Sequence, residues 1–114
     1  MSTCPFCEIV SGGAPAHIVY RDDHVTAFHD SHPIAPTHIL IIPNKHIVSL
    51  NELAPEDEPL VSHMVSVARQ LAEQEGIHTH GYRLVFNTGR HAGQTISHLH
   101  LHLIGGRHLF SLKG

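Results

Sequence analysis

Three histidines alternate with leucines in the run His98-Leu99-His100-Leu101-His102-Leu103. Imidazole is a nucleophile, a proton carrier and a metal ligand near neutral pH, so a row of three is a candidate reaction centre. On an extended strand, alternate side chains share one face roughly 7 Å apart, and the leucines between them face the other way. Three roles fit such a row. It could be a solvated polar face, although Lys, Thr or Ser would serve there as well. It could hold a metal from alternate strand positions. It could also handle phosphate, one neutral imidazole attacking phosphorus while its neighbours orient it or assist the leaving group. The preceding loop, Gly89-Arg90-His91-Ala92-Gly93-Gln94-Thr95, favours phosphate. Glycines let main-chain N–H groups approach an anion, and Gln94 and Thr95 add side-chain donors.

A second candidate is Cys4-Pro5-Phe6-Cys7, which holds both cysteines of the chain. The C-x2-C spacing suits half of a tetrahedral zinc site rather than a structural disulfide. Two partly buried thiols without metal are an alternative. A redox pair is another, but no βαβ pattern surrounds it.

The elements that must position these groups follow from periodicity and turn residues. Residues 5–11 fit a short helical turn before Gly12-Gly13. Residues 17–21 and 24–29 alternate as strands around the turn pair Asp22-Asp23. The β-branched apolar run 37–42, ended by Pro43, predicts a buried strand. Pro55 suits the start of a helix, and Glu56, Asp57 and Glu58 suit its positive end. Leu60, Met64, Val67, Ala68 and Leu71 recur at helical spacing, which predicts one long helix over about 55–75 with Gly76 as its stop. Strands are predicted at 81–87 and 95–104, the last carrying all three histidines. A strand meander, one helix and two more strands make an α+β domain with an antiparallel sheet.

The whole chain bounds the function. Its 114 residues, 41% hydrophobic and 15% charged, predict one compact domain spanning 1–114. The net charge of −3 leaves too little Lys and Arg to neutralise a nucleic-acid backbone, although a few local donors suffice for a small phosphorylated ligand. No apolar run approaches the roughly 20 residues of a membrane span. The start, Met1-Ser2-Thr3-Cys4-Pro5, lacks the basic head and apolar stretch of a secretory signal, and a cytoplasmic location is expected. Fourteen histidines are unusual for this length.

The run Gln94-Thr95-Ile96-Ser97-His98-Leu99-His100-Leu101-His102-Leu103-Ile104 closely resembles the signature of the histidine triad (HIT) family, His-φ-His-φ-His-φ-φ. Further blocks resemble the family in the right order: Ala27-Phe28-His29-Asp30, the stretch from Ala35 to Pro43, Lys45-His46, and Gly81-Tyr82-Arg83 to Asn87. Together they cover nearly the whole chain. Ile104-Gly105-Gly106-Arg107 resembles the Hint-like branch, of the purine nucleoside phosphoramidase type, more than the dinucleoside polyphosphate hydrolases. The C-terminus, Arg107 to Gly114, departs from that branch's eukaryotic pattern in lacking a Trp-Pro-Pro-Gly ending, which leaves the leaving-group preference open.

The resemblance implies a HIT-type antiparallel sheet of about five strands with one long helix and a short N-terminal helix. It implies hydrolysis of nucleoside 5′-phosphoramidates or related conjugates at the α-phosphate, through a nucleotidyl-histidine intermediate, with no catalytic metal. His100 matches the nucleophile, His102 the phosphate and leaving-group partner, and His98 and His38 the supporting histidines. Asn87, Gly93, Gln94 and Thr95 match the phosphate site, Asp30 the ribose carboxylate, and Phe6, Ile9, Phe28 and His29 the nucleoside wall. Plainer roles stand beside these: Asp30 as a turn cap, Phe6, Ile9 and Phe28 as core, Asn87 as a strand end, His38 as a buried core histidine. A purine nucleotide partner and a homodimer are implied; binding to nucleic acid or membrane is not. Bacterial HIT proteins with an N-terminal C-x-x-C resemble this chain and carry structural zinc, for which Cys4, Cys7, His46 and His98 are the candidate ligands. The alternatives are a dinucleoside polyphosphate hydrolase, or a non-catalytic nucleotide-binding or zinc-dependent interaction protein.

Overall fold

The computed structural model describes residues 4–110. Met1, Ser2 and Thr3 of the segment read for a leader, and Ser111 to Gly114 of the tail, lie outside the described residues. Helix α1 (Pro5–Ser11) opens the fold, with Pro5 in its first turn and Gly12 closing it at φ 85°. Strands β1 (Ile18–Arg21), β2 (Val25–His29) and β3 (Thr37–Pro43) follow as a meander. Pro55 starts a 3-10 turn, Pro55–Asp57, from which helix α2 (Glu58–Gln74) continues. Strands β4 (Tyr82–Phe86) and β5 (Leu101–Gly105) complete an antiparallel five-stranded sheet in the order β1-β2-β3-β5-β4. The architecture is α+β, with one long and one short helix. Among the described residues, no helix is long and apolar enough to cross a membrane.

Period-2 alternation divides the sheet into two faces. Val25, Ala27, Ile39, Ile41, Leu101 and Leu103 meet Met64, Val67, Ala68, Leu71 and Ala72 of α2 in the main core. On the other face, Phe28, Leu40 and Ile42 pack against Phe6 and Ile9 of α1. β3 is therefore buried along its whole length. His38 and His102 project on the α1 side, where polar groups interrupt the apolar cover.

The last strand is shorter than its pattern predicts. It begins at Leu101 rather than near residue 95, so His98 and His100 precede it. The ladder with β3 ends at the pair Ile41↔Leu101. Extending that register would set Leu99 opposite Pro43, which has no N–H to give. Leu99 N–H instead donates to the Ile47 carbonyl at 2.6 Å. The alternation survives without the ladder: Leu99 remains in the α2 core while His98 and His100 are buried on the other side of the chain.

Candidate active site

The three histidines occupy distinct environments, and fixed main-chain groups set the protonation of each ring. His98 is fully buried, and its Nε2–H donates to the Pro43 carbonyl at 2.8 Å. A carbonyl can only accept, so the proton is on Nε2 and the lone pair on Nδ1. His100 is held the opposite way: its Nδ1–H donates to the His98 carbonyl at 2.7 Å, leaving the lone pair on Nε2. His102 receives its tautomer through His38. The Ile34 N–H donates to His38 Nδ1 at 3.2 Å, so His38 carries its proton on Nε2. That proton is given to His102 Nδ1 at 2.9 Å. The remaining proton of His102 is on Nε2, a buried nitrogen with no partner among the described residues. Burial, with His100 and His38 alongside, pushes the His102 imidazole down to about 4. Burial also lowers His38, against the opposing pull of Asp30. The pair is neutral at pH 7.

His100 and His102, with ring centroids 5.0 Å apart, line one cleft of about 620 Å³. Phe6, Ile9, Phe28 and His29 line it too, together with Asp30, Asn87, Gly93 and Thr95. Phe6 stands edge-on to His100 and to Phe28, with centroids 5.2 and 5.4 Å away. Phe6, Ile9 and Phe28 are thus both core and cleft wall. Asp30 likewise has two occupations: Oδ1 accepts from the His32 N–H at 2.8 Å, and Oδ2 lies 3.4 Å from His38 Nε2. Asn87 stands immediately after β4.

Gln94 departs from its expected place. It does not line the cleft, because its amide braces the loop: Oε1 accepts from the Gly89 N–H at 2.9 Å, while Nε2 donates to the carbonyls of Val48 and Ile96 at 2.7 and 3.0 Å. His38 and His98 also stand behind the cleft surface rather than on it. Sequence reasoning missed His17, which lines the cleft with its ring 4.5 Å from that of His29. The signal was available. Folding the chain back at Asp22-Asp23 brings residue 17 opposite residue 29, and the His29 N–H donates to the His17 carbonyl at 3.1 Å.

Beside the cleft, Cys4, Cys7, His46 and His98 converge, with potential ligand atoms all within 4.8 Å of one another. His98 Nδ1 lies 3.3 Å from Cys4 Sγ and 3.5 Å from Cys7 Sγ, and His46 Nδ1 lies 3.1 Å from Cys7 Sγ. Tetrahedral zinc with bonds of roughly 2.0–2.3 Å separates its donors by about 3.5 Å. The donor set therefore fits zinc. The Pro43 carbonyl on Nε2 of His98 is the kind of outer contact that aims a ligand's lone pair at a metal. Asp30, His38 and His102 also converge within 4.8 Å, but the hydrogen-bond chain described above accounts for that grouping.

The pattern of the HIT domain matches residues 11–109. The chain belongs to the HIT family. It is 53% identical to a purine nucleoside phosphoramidase of Escherichia coli strain K12 over 104 residues, 91% of this chain and 87% of that one. Among solved structures, a HIT family hydrolase from Legionella pneumophila superposes with a TM-score of 0.92 at 45% identity, covering 95% of this chain and 96% of the other. A Zn-bound histidine triad family protein from Mycobacterium smegmatis superposes with a TM-score of 0.81 at 36% identity, over 92% and 76% of the two chains. Cys4, Phe6, Cys7 and Ile9 lie before the span the HIT pattern matches.

Proposed function

We propose that this HIT protein is a hydrolase of nucleoside 5′-phosphoramidates and related nucleotide conjugates, cleaving at the α-phosphate and releasing a nucleoside monophosphate. One observation carries the proposal. In a single cleft, main-chain groups leave His100 with a lone pair on Nε2 and His102 with a proton on Nε2. One nitrogen can attack phosphorus while the other donates to an atom gaining negative charge. The 53% identity to a purine nucleoside phosphoramidase supports the same reaction.

The nucleoside enters against Phe6, Ile9, Phe28 and His29, with its ribose hydroxyls donating to Asp30. Asn87, Gly93 and Thr95 hold the phosphate, and Gln94 keeps their loop in shape. Neutral His100 attacks phosphorus through Nε2, and the imidazolium that forms keeps its Nδ1–H on the His98 carbonyl. The P–N bond breaks with its electron pair going to nitrogen, which takes one proton from solvent and leaves as the amine. His102 Nε2–H donates to the oxygen or nitrogen that gains charge. Water then attacks phosphorus, the electron pair of the N–P bond returns to His100, and one proton goes back to solvent. The net change is hydrolysis by one water.

Cys4, Cys7, His46 and His98 bind structural zinc, which ties α1 to the segment bearing the nucleophile and supplies no step of the reaction. Thiolate ligands suit a reducing compartment such as the cytoplasm. The protein acts as a homodimer, supported by the position of β4 at the sheet edge, where a second copy can continue the sheet. Steady-state kinetics on an adenosine 5′-phosphoramidate beside a dinucleoside polyphosphate test the proposal. We expect kcat/KM at least about tenfold higher on the phosphoramidate. The reverse order contradicts the substrate assignment, and binding without turnover of either contradicts the enzyme.

A further inference from the structure

The tautomer chain that sets His102 extends beyond the cleft. Ile34, whose N–H fixes His38, has its carbonyl held by Arg107: Nη2 donates to it at 2.7 Å. The other terminal nitrogen, Nη1, donates to the His108 carbonyl at 2.9 Å, so the guanidinium is clamped between loop and tail. Ile34 sits in the turn-rich stretch between β2 and β3, with an exposed side chain that supplies little packing to fix its backbone. The guanidinium is the side-chain tie on that residue's carbonyl.

A second observation shows that the close approach is built in. Gly106 has φ +95°, a conformation that turns the chain after β5 back toward this loop. A Cβ at position 106 would lie 2.9 Å from Pro36 Cβ and 3.4 Å from the Thr37 nitrogen. Only glycine lets the 105–107 segment come this near, and Arg107 reaches the Ile34 carbonyl from there.

We infer that Arg107 is a positioning residue for the reaction: it holds Ile34 in place, Ile34 fixes the tautomer of His38, and His38 fixes the tautomer of His102. Arg107 touches no substrate in this assignment. The inference rests on the proposed hydrolase only for its kinetic consequence. The tautomer chain exists in the ligand-free protein and is measured without substrate.

An amide N–H can only donate, so while Ile34 stays in place His38 Nδ1 must accept. If the loop drifts, only Asp30 Oδ2, at 3.4 Å, still favours the proton on His38 Nε2, and a share of the molecules can carry it on Nδ1 and present a lone pair on Nε2. His102 then has to donate through Nδ1, and its Nε2, which has no partner among the described residues, becomes an acceptor. An acceptor there repels the oxygen or nitrogen that gains charge. Such a change lowers kcat while leaving the nucleoside and ribose contacts intact.

The test is long-range 1H–15N NMR of the histidine rings in the ligand-free full chain, paired with steady-state kinetics on an adenosine phosphoramidate. In the wild type we expect His38 and His102 each to show a protonated Nε2 and an unprotonated Nδ1. In Arg107→Ala we expect both rings to shift toward a mixture of tautomers, with kcat down about fivefold to tenfold and KM within about twofold. Arg107→Lys keeps one donor for the Ile34 carbonyl and should restore kcat to within about twofold, with the wild-type ring signals. Arg69→Ala, on the exposed face of α2, serves as the control and should change neither readout. Wild-type ring signals and kcat in Arg107→Ala overturn the inference. So does a rise in KM at unchanged kcat, which would place Arg107 on the substrate. If the wild type proves inactive on phosphoramidates, the ring signals still decide the chain, and only the hydrolase proposal fails.

Discussion

The lone pair on His100 Nε2 is a consequence of where a main-chain carbonyl sits. His98 offers its carbonyl to His100 and its own ring to Pro43 and the two thiols, so one buried residue serves four contacts. Asp30 is the residue whose substitution bears mainly on binding. Its Oδ1 caps the His32 N–H, and an asparagine oxygen can do the same, so Asp30→Asn keeps the turn while removing the charge. We expect KM for the phosphoramidate to rise about tenfold to a hundredfold, as losing a charged acceptor for the ribose hydroxyls implies. We expect kcat to fall by less than KM rises, about threefold to tenfold, because an amide NH2 in place of Oδ2 no longer favours the proton on His38 Nε2. Steady-state kinetics check this, and an unchanged KM would remove Asp30 from the ribose site. The row of three histidines was legible from spacing and residue type alone. Their division into donor and acceptor was not, because the groups that decide it are the Ile34 N–H and the carbonyls of Pro43 and His98. Main-chain partners carry no sequence signature. Gln94 misled for a related reason: a polar side chain in a glycine loop looks like a ligand donor until its partners at Gly89, Val48 and Ile96 are known.

At the scale of elements, α1 connects the candidate metal-ligand cluster to the proposed nucleoside wall. It carries Cys4 as its N-cap and Cys7 on one side, and Phe6 and Ile9 against the sheet on the other. A seven-residue helix has little stability of its own, so what ties it down decides how well the wall is formed. Zinc analysis of the purified protein should find about one ion per chain, and Cys7→Ser should lose most of it. A strong chelator should lower Tm by about 5 °C or more, and the KM of the metal-free protein should rise more than its kcat falls. Metal-free protein of unchanged Tm would contradict a structural role. Element boundaries were legible where turn residues bracket a run: α1 and the hairpin at Asp22-Asp23 fall where their sequences place them. The start of β5 was not, because the ladder fails at a residue on another strand, Pro43, which the local pattern of 95–104 does not contain.

For the whole molecule, the neutral buried histidines set a pH window. His102 has an ordinary value of 6.5 and is held at about 4 in the fold, because burial with His100 and His38 alongside disfavours its charged form. The unfolded chain therefore takes up a proton that the native state refuses. This contribution to stability is fully present above about pH 6.5 and declines as the pH falls toward about 4. His38 and His98 are lowered in the same direction, chiefly by burial, and add to the decline. Denaturant titrations between pH 7 and 4 should show stability falling steadily, and His102→Gln should flatten that slope. An equal slope in the variant would place the effect elsewhere. Sedimentation should give a mass of two 12.6 kDa chains. The full burial of β3 was legible from the apolar run 37–42. The order β1-β2-β3-β5-β4 was not, since which edge β4 takes depends on how α2 crosses the sheet.

The most direct test of the account is intact-mass and peptide mass spectrometry of protein quenched within milliseconds of mixing with an adenosine phosphoramidate. The account predicts a transient adduct of one nucleotidyl group on the peptide bearing His100, placed by fragmentation on His100 itself and absent from His100→Ala, with turnover in that variant lower by a factor of about a thousand or more. An adduct on a different residue, or full turnover by His100→Ala, would contradict it.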